Sequence, residues 1–192
     1  MQKLTQQDLF TLEAYARERA AFRTRVLKHK QARIVHVGAH VTLVFEDRLT
    51  VQYQIQEILR VERIFEAAGI AEELDAYNPL IPDGRNLKAT MLIEYPDESE
   101  RARKLVELHG IENRVALQIN NLAPVVAIAD EDLERSTETK TAAVHFLRFE
   151  LDAAQVAAFA GSDVAIAIDH RAYQARTVLA AATREALARD FD

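Results

Sequence analysis

Cysteine is absent from this sequence, so a disulfide framework, a thiolate nucleophile and any cysteine-held zinc or iron–sulfur site are excluded. Glycine is scarce and scattered, five residues in all, and neither a dinucleotide fingerprint nor a phosphate-binding loop can be assembled from it. Serine is scarcer still: Ser99, Ser136 and Ser162 are the full set, and none sits in a Gly-x-Ser-x-Gly elbow. No apolar run approaches the ~18 residues of a membrane span. Nor does an apolar stretch follow Lys3, so we expect no signal peptide and a cytoplasmic protein. Positive charge is in deficit, with a net charge of −6. That argues against a nucleic-acid binder working by phosphate neutralisation and against a polybasic membrane anchor.

What is present is ordinary for a globular chain: 49% hydrophobic and 28% charged residues over 192 positions, enough for one domain with a real core. We read 1–192 as a single α+β domain with a helical N-terminal segment over 1–32. The one proline- and glycine-bearing connection, Asn78 to Asn86, is the candidate sub-boundary.

The stretch from Phe45 to Phe65 organises the rest. It reads as a strand end, a turn at Glu46-Asp47-Arg48 and a helix of about five turns ending near Ala68, with Gly69 just beyond. At about 100° per residue, Val51, Ile55, Ile58 and Phe65 share an apolar sector that Tyr53, Val61, Ile64 and Ala68 widen. Gln52, Gln56, Arg60, Arg63 and Glu66 form the polar remainder. Gln54, Glu57 and Glu62 fall inside the apolar arc, where a carboxylate must be paired or neutralised.

Before this helix, Thr5 and Asp8 resemble a capping box opening an amphipathic helix to about Lys30. Its basic run from Arg17 to Arg33 is read as a solvated face, the alternative being a dock for an acidic partner. Two β-branched runs around Gly38 form a hairpin, Arg33–Val37 with Val41–Phe45. Farther on we expect a strand at Leu87–Tyr95, a charged helix from Pro96 closed by Gly110, and a hairpin of Val115–Ile119 with Val125–Ala129. An acidic turn or single helical turn covers 130–135. A long strand follows at Thr141–Leu151, then a short helix capped by Asp152, a strand at Val164–Ile168, and a C-terminal amphipathic helix from Tyr173 to Arg189. The units beginning at Lys88 and Lys140 share a strand-then-helix order. Hairpins mixed with helices define α+β with a mainly antiparallel sheet, packed by the long central helix.

The stretches "FEDRLTVQYQIQEILRVERIF", "ELDAYNPLIPDGRNLKATMLIEYPDE", "IADEDLER" and "KTAAVHFLRFEL" together resemble the bacterial family known as domain of unknown function 3501. The resemblance runs from near the start of the chain to about His170. It carries no activity, ligand or catalytic residue onto these positions. It implies a setting of redox or peroxide defence, beside rubrerythrin-like and heterodisulfide-reductase-like proteins.

Period two puts His145, Leu147, Phe149 and Leu151 on one face of the 141–151 strand and Val144, Phe146, Arg148 and Glu150 on the other. His145, Arg148 and Glu150 are therefore candidate buried polar groups, with Arg148 or Glu150 expected to meet Glu57 or Glu62 of the central helix. His145 is the group suited to changing charge near neutral pH. Three functions are open. The first is an accessory protein binding a redox partner or small ligand at Glu57, Glu62, His145, Arg148 and Glu150, with Gln54 and His40 as secondary members. The second is an enzyme or sensor holding iron, manganese or zinc through His36, His40, Glu57, His145 and Glu150. The third is a structural homodimer with its N-terminal helix packed across a two-fold axis. Ferritin-like Glu-x-x-His pairs, the His-Glu-x-x-His motif and a calcium loop are all missing.

Overall fold

The computed structural model describes residues 1–191. Helix α1 (Leu12–Gln31) leads into the hairpin β1 (Ile34–Val37) and β2 (Val41–Phe45), then α2 (Arg48–Glu62) and α3 (Ala67–Tyr77). There follow β3 (Asn86–Ile93), α4 (Glu98–Glu107), β4 (Val115–Ile119), β5 (Val125–Val126), β6 (Ile128–Ala129) and β7 (Val144–Glu150). The chain continues through α5 (Ala153–Phe159), β8 (Val164–His170), β9 (Tyr173–Val178) and α6 (Ala181–Ala188). Two wholly antiparallel sheets result, ordered β1-β2-β3-β7-β6 and β5-β4-β8-β9. The fold is α+β, as the mixture of hairpins and helices implies.

Strand alternation explains why the two sheets enclose one core. Leu87, Ala89, Met91 and Ile93 of β3 and His145, Leu147 and Phe149 of β7 are buried, while the residues between them are partly or fully open. They meet Leu117, Ile119, Ile166 and Ile168 from the second sheet, with Phe159 and Leu187 from α5 and α6 completing the cluster. Each such side chain taken from water contributes roughly 1.5–3 kcal/mol. The units β3-α4-β4 and β7-α5-β8 each cross from the five-stranded to the four-stranded sheet. β3 pairs with β7 and β4 with β8, both antiparallel. The shared order seen in the sequence is thus a shared path in space.

The sheets also meet along both edges. At one, the run expected as a single strand over 125–129 divides: β5 pairs with β4 and β6 with β7. At the other, the Tyr173 hydroxyl donates to Val37 O (2.7 Å) and accepts from His40 N (3.0 Å), and the Thr177 hydroxyl donates to His36 O (2.8 Å). Gly38 permits this closeness. It lies at φ 73°, and a Cβ there would stand 2.5 Å from the Tyr173 hydroxyl.

Three element ends depart from the sequence reading. The residues from Tyr173 form strand β9 and then α6, not one helix, because Tyr173, Ala175 and Thr177 alternate toward β1 while β8 supplies a ladder from Ala165 to His170. The central helix stops at Glu62: Arg63 turns left-handed (φ 59°) and the amides of both Arg63 and Ile64 return to Leu59 O. Gly69 lies within α3, and Val61 and Phe65 are 65% and 73% exposed. The Thr5–Asp8 box caps only a 3-10 turn, while Thr11 caps α1. Asp152 caps α5 as the sequence indicates, and the acidic run at 130–135 holds no helical turn.

α1 packs on α2 through Tyr15, Phe22 and Val26 against Leu49 and Tyr53, and Phe10, just before α1, joins the same cluster. A second apolar cluster joins Leu4, Val51, Ile55, Leu59, Leu74 and Ile81. Glu46, 3% exposed, ties this helical layer to the sheet by accepting from Thr50 of α2 (2.6 Å) and Thr90 of β3 (2.8 Å). No helix among the described residues is long and apolar enough to cross a membrane. The edge closure gives a test. Tyr173→Phe removes one donor and leaves a main-chain amide without its acceptor, so unfolding in urea should report a loss of about 1–3 kcal/mol. An unchanged midpoint would show that the edge is held by packing alone.

Candidate functional site

β7 must satisfy polar side chains on both its faces, and the loop before it does so with two adjacent acids. Inward, His145 is fully buried, with Nδ1 2.6 Å from Asp130 Oδ2 and Nε2 2.7 Å from the Thr141 hydroxyl and 3.1 Å from Ala142 O. Asp130 adopts φ 50°, and its other oxygen accepts from Phe146 N (3.0 Å). Glu112, 6% exposed, accepts from Ser136 and Thr141, each at 2.9 Å. Burial works to raise the Glu112 carboxyl, but its own main-chain amide, Ser136, the nearby His145 and Thr141 outweigh it and hold the carboxyl below its ordinary range. Thr141, His145 and Asp130 align as hydroxyl, imidazole and carboxylate. That hydroxyl is 1% exposed and also reaches Glu112, so the array braces the 130–141 loop and presents no nucleophile to solvent.

Outward, Arg148 makes a two-pronged pair with Glu131 (2.7 and 2.8 Å) and reaches Glu150 at 2.5 Å. Glu131 is held below the usual carboxylate range chiefly by these Arg148 hydrogen bonds. Directly across the ladder from Arg148 stands Lys88, a like-charge pairing that is unfavourable in itself. Lys88 Nζ donates to Pro79 O and makes no ion pair among the described residues. Burial first, then Lys3 and Arg148 nearby, push its ammonium below the ordinary lysine range.

Between the end of α3 and the outer face of β3 and β7 lies a groove of about 430 Å³. Tyr77 and Leu80 form one wall and Phe146 the opposite one, with Arg135 stacked over the Phe146 ring at 4.3 Å. Lys88 and Arg148 line it as well, and the loop residues Glu131 and Asp132 close its side. Arg135 is held in place by Asp132 (2.7 Å) and Asp130 (3.3 Å).

The residues singled out from the sequence do not form one site. His145 and Arg148 occupy opposite faces of β7, and neither pairs with α2. Glu57 instead binds α1: Arg19 takes both of its oxygens at 2.8 Å, and the Tyr15 hydroxyl donates to it at 2.7 Å. Glu62 is exposed, because the helix ends there. The buried glutamine of α2 is Gln56, bonded to Phe10 N at 2.5 Å, while Gln54 is only half-buried. His40 stacks on Tyr95 at 4.0 Å and meets Glu94 O, and His36 meets the Thr42 hydroxyl. Among the described residues no group of three or more His, Asp or Glu is placed to hold a metal ion. Asp130, Glu131 and Lys88 were missed. The acidic run immediately before a strand carrying His145 and Arg148 was the available signal.

The architecture is that of an α+β protein with two antiparallel sheets and a charged, partly apolar groove on the outside of one. The chain belongs to the family described as Protein of unknown function (DUF3501), whose sequence model matches residues 3–191. It is similar to a crystal structure of a novel protein of unknown function from Burkholderia pseudomallei, with 50% identity, 100% of each chain covered and a TM-score of 0.94. No curated protein matches the chain.

The placement of Glu57 sets a stability test. Its carboxyl is lowered to about 2, first by the Arg19 hydrogen bonds, against a burial cost, and then by Tyr15 and Arg60. A depressed carboxyl stabilises the fold above its unfolded value of 4.5, and that contribution is lost as pH falls toward about 2. Glu57→Gln should therefore cost about 1–3 kcal/mol at pH 7, against less than about 0.5 for the exposed Glu66→Gln. The gap between wild type and Glu57→Gln should shrink between pH 4.5 and 2. Equal melting shifts for the two variants at pH 7 would remove Glu57 from the helix-pairing role.

Proposed function

We propose that this is a cytoplasmic binding protein whose groove takes a small organic anion with a flat apolar body. The observation that carries the reading is Lys88, a half-buried ammonium without a carboxylate partner among the described residues, in a groove also lined by Tyr77, Leu80 and Phe146. Arg148 and Arg135 are already neutralised by Glu131, Glu150, Asp132 and Asp130. Lys88 is therefore the cation left to meet an acidic group, while Phe146 and Tyr77 supply the faces against which a ring can lie. The like-charge position opposite Arg148 favours an anion that separates the two.

We read the groove as a binding site on its apolar faces and the Lys88 ammonium. With it we keep the setting that the family resemblance implies, an accessory role in redox or peroxide defence.

Anilinonaphthalene sulfonate joins an apolar ring system to one anionic group and serves as the probe. Fluorescence titration should show one saturable site. Lys88→Gln should weaken it about tenfold, or ~1.4 kcal/mol, Phe146→Ala should weaken it to a similar degree, and Lys140→Gln at an exposed position should leave it unaltered. Identical binding by wild type and Lys88→Gln would overturn the assignment.

A further inference from the structure

Of the six lysines in the chain, Lys88 is the one that lines the groove of Tyr77 and Phe146. The side chain is half-buried, and no carboxylate among the described residues pairs with it. Its Nζ donates to Pro79 O, and Pro79 lines the groove too, so the nitrogen is anchored at the wall by a neutral acceptor. Across the ladder stands Arg148. Burial first, then Lys3 and Arg148, press the ammonium toward losing its proton, with Asp83 and Glu131 opposing. Withdrawal from water beside another cation is the setting that turns a lysine ammonium into a nucleophilic amine. Pro79 O needs one N–H, which the neutral amine retains, and the lone pair is then free for an electrophile.

The rest of the groove decides which electrophile fits. Ring faces favour a flat apolar substituent, and the like charges at Lys88 and Arg148 favour an anionic group between them. A carbonyl carbon within reach of Nζ must therefore lie beside that anionic group. A 2-oxo acid has this arrangement, with ketone and carboxylate on adjacent carbons. A simple aldehyde offers the carbonyl and leaves the two cations facing each other.

We infer that Lys88 captures a 2-oxo acid with a flat apolar substituent as a reversible imine, a step that rests on the binding role proposed for the same groove. The Nζ lone pair forms a C–N bond to the ketone carbon while the carbonyl π bond breaks and its oxygen takes a proton. Loss of that hydroxyl with the N–H proton, as water, leaves the C=N bond. Protonated, the imine carries the same single positive charge as the ammonium. Ammonium and ketone thus give iminium and one water with charge unchanged, and the ligand carboxylate keeps a cation beside it throughout. Hydrolysis reverses the step and frees the ligand.

Reductive trapping tests this. The full chain is incubated at pH 7 with phenylpyruvate and sodium cyanoborohydride, which reduces an imine to a stable secondary amine, and the lysines are compared by peptide mass spectrometry. Lys88 should carry the adduct about tenfold more than the exposed Lys28 or Lys140. Phenyllactate has the same ring and carboxylate but a hydroxyl in place of the ketone. It should form no adduct and should slow labelling of Lys88 by phenylpyruvate. Lys88→Arg keeps the charge and should abolish the adduct at this position. Even labelling across the lysines, or none at Lys88, would overturn the imine, and the wild type alone supplies that result. The dye titration separates this from failure of the groove: a saturable dye site beside an unlabelled Lys88 removes the covalent step alone.

Discussion

The antiparallel pairing of β3 with β7 is the constraint on which the rest depends. It sets Met91 opposite His145 and Ala89 opposite Leu147, so the inner face is apolar except for one imidazole. The same register sets Lys88 opposite Arg148 on the outer face. A shift of β7 by one residue would reverse its faces, drawing Arg148 into the core and expelling Phe149. The register is therefore fixed by the difference between burying a cation and burying an aromatic ring, a difference of several kcal/mol. Everything placed on β7 follows from it: the loop that braces His145, the pair with Glu131 and the groove floor.

Asp130 and Glu131 show how one short segment serves both sides. Backbone at 130 turns left-handed, which costs an aspartate little, and the two neighbouring carboxylates then reach opposite faces of the same strand. Brace and groove wall are thereby coupled. Loosening His145 from Asp130 displaces the segment that positions Glu131 and Arg135, so a change in the core is felt at the groove without any contact between His145 and a ligand.

Features specified within a few residues were legible in the sequence. The Gly38 hairpin, the alternation of β3 and β7, the Asp152 cap and the strand-helix order repeated from Lys88 and Lys140 all follow from period, cap or turn chemistry. The misreadings have equally local causes. The apolar spacing runs on past Glu62, but a left-handed turn at Arg63 ends the helix, and nothing in arginine announces that conformation. An alanine-rich tail suggests helix, yet Tyr173 and Thr177 find acceptors on β1 that only the tertiary fold provides. Pairings were the least legible of all. Glu57 was recognised as needing a partner, but α1, 38 residues earlier, supplies Arg19 where β7 had been expected to supply Arg148. The basic run reads as a solvated face, and Arg17, Arg23, Arg25 and Lys28 are exposed, but Arg33, just past the helix, lies in the interior.

Charge in this protein separates into two kinds. Glu57, Glu112, Asp130, Glu131, Arg33 and Arg148 have partners that offset their desolvation, and such groups hold elements in register while contributing little net stability of their own. Lys88 and the second oxygen of Asp190 are different: half-buried Lys88 has Pro79 O as its acceptor and no carboxylate, and Asp190 Oδ1 has no hydrogen-bond partner among the described residues. At Lys88 an apolar substitute would remove the penalty, whereas at Asp190 it would leave the buried Arg33 guanidinium short of its carboxylate, so Asp190 is kept by its other oxygen.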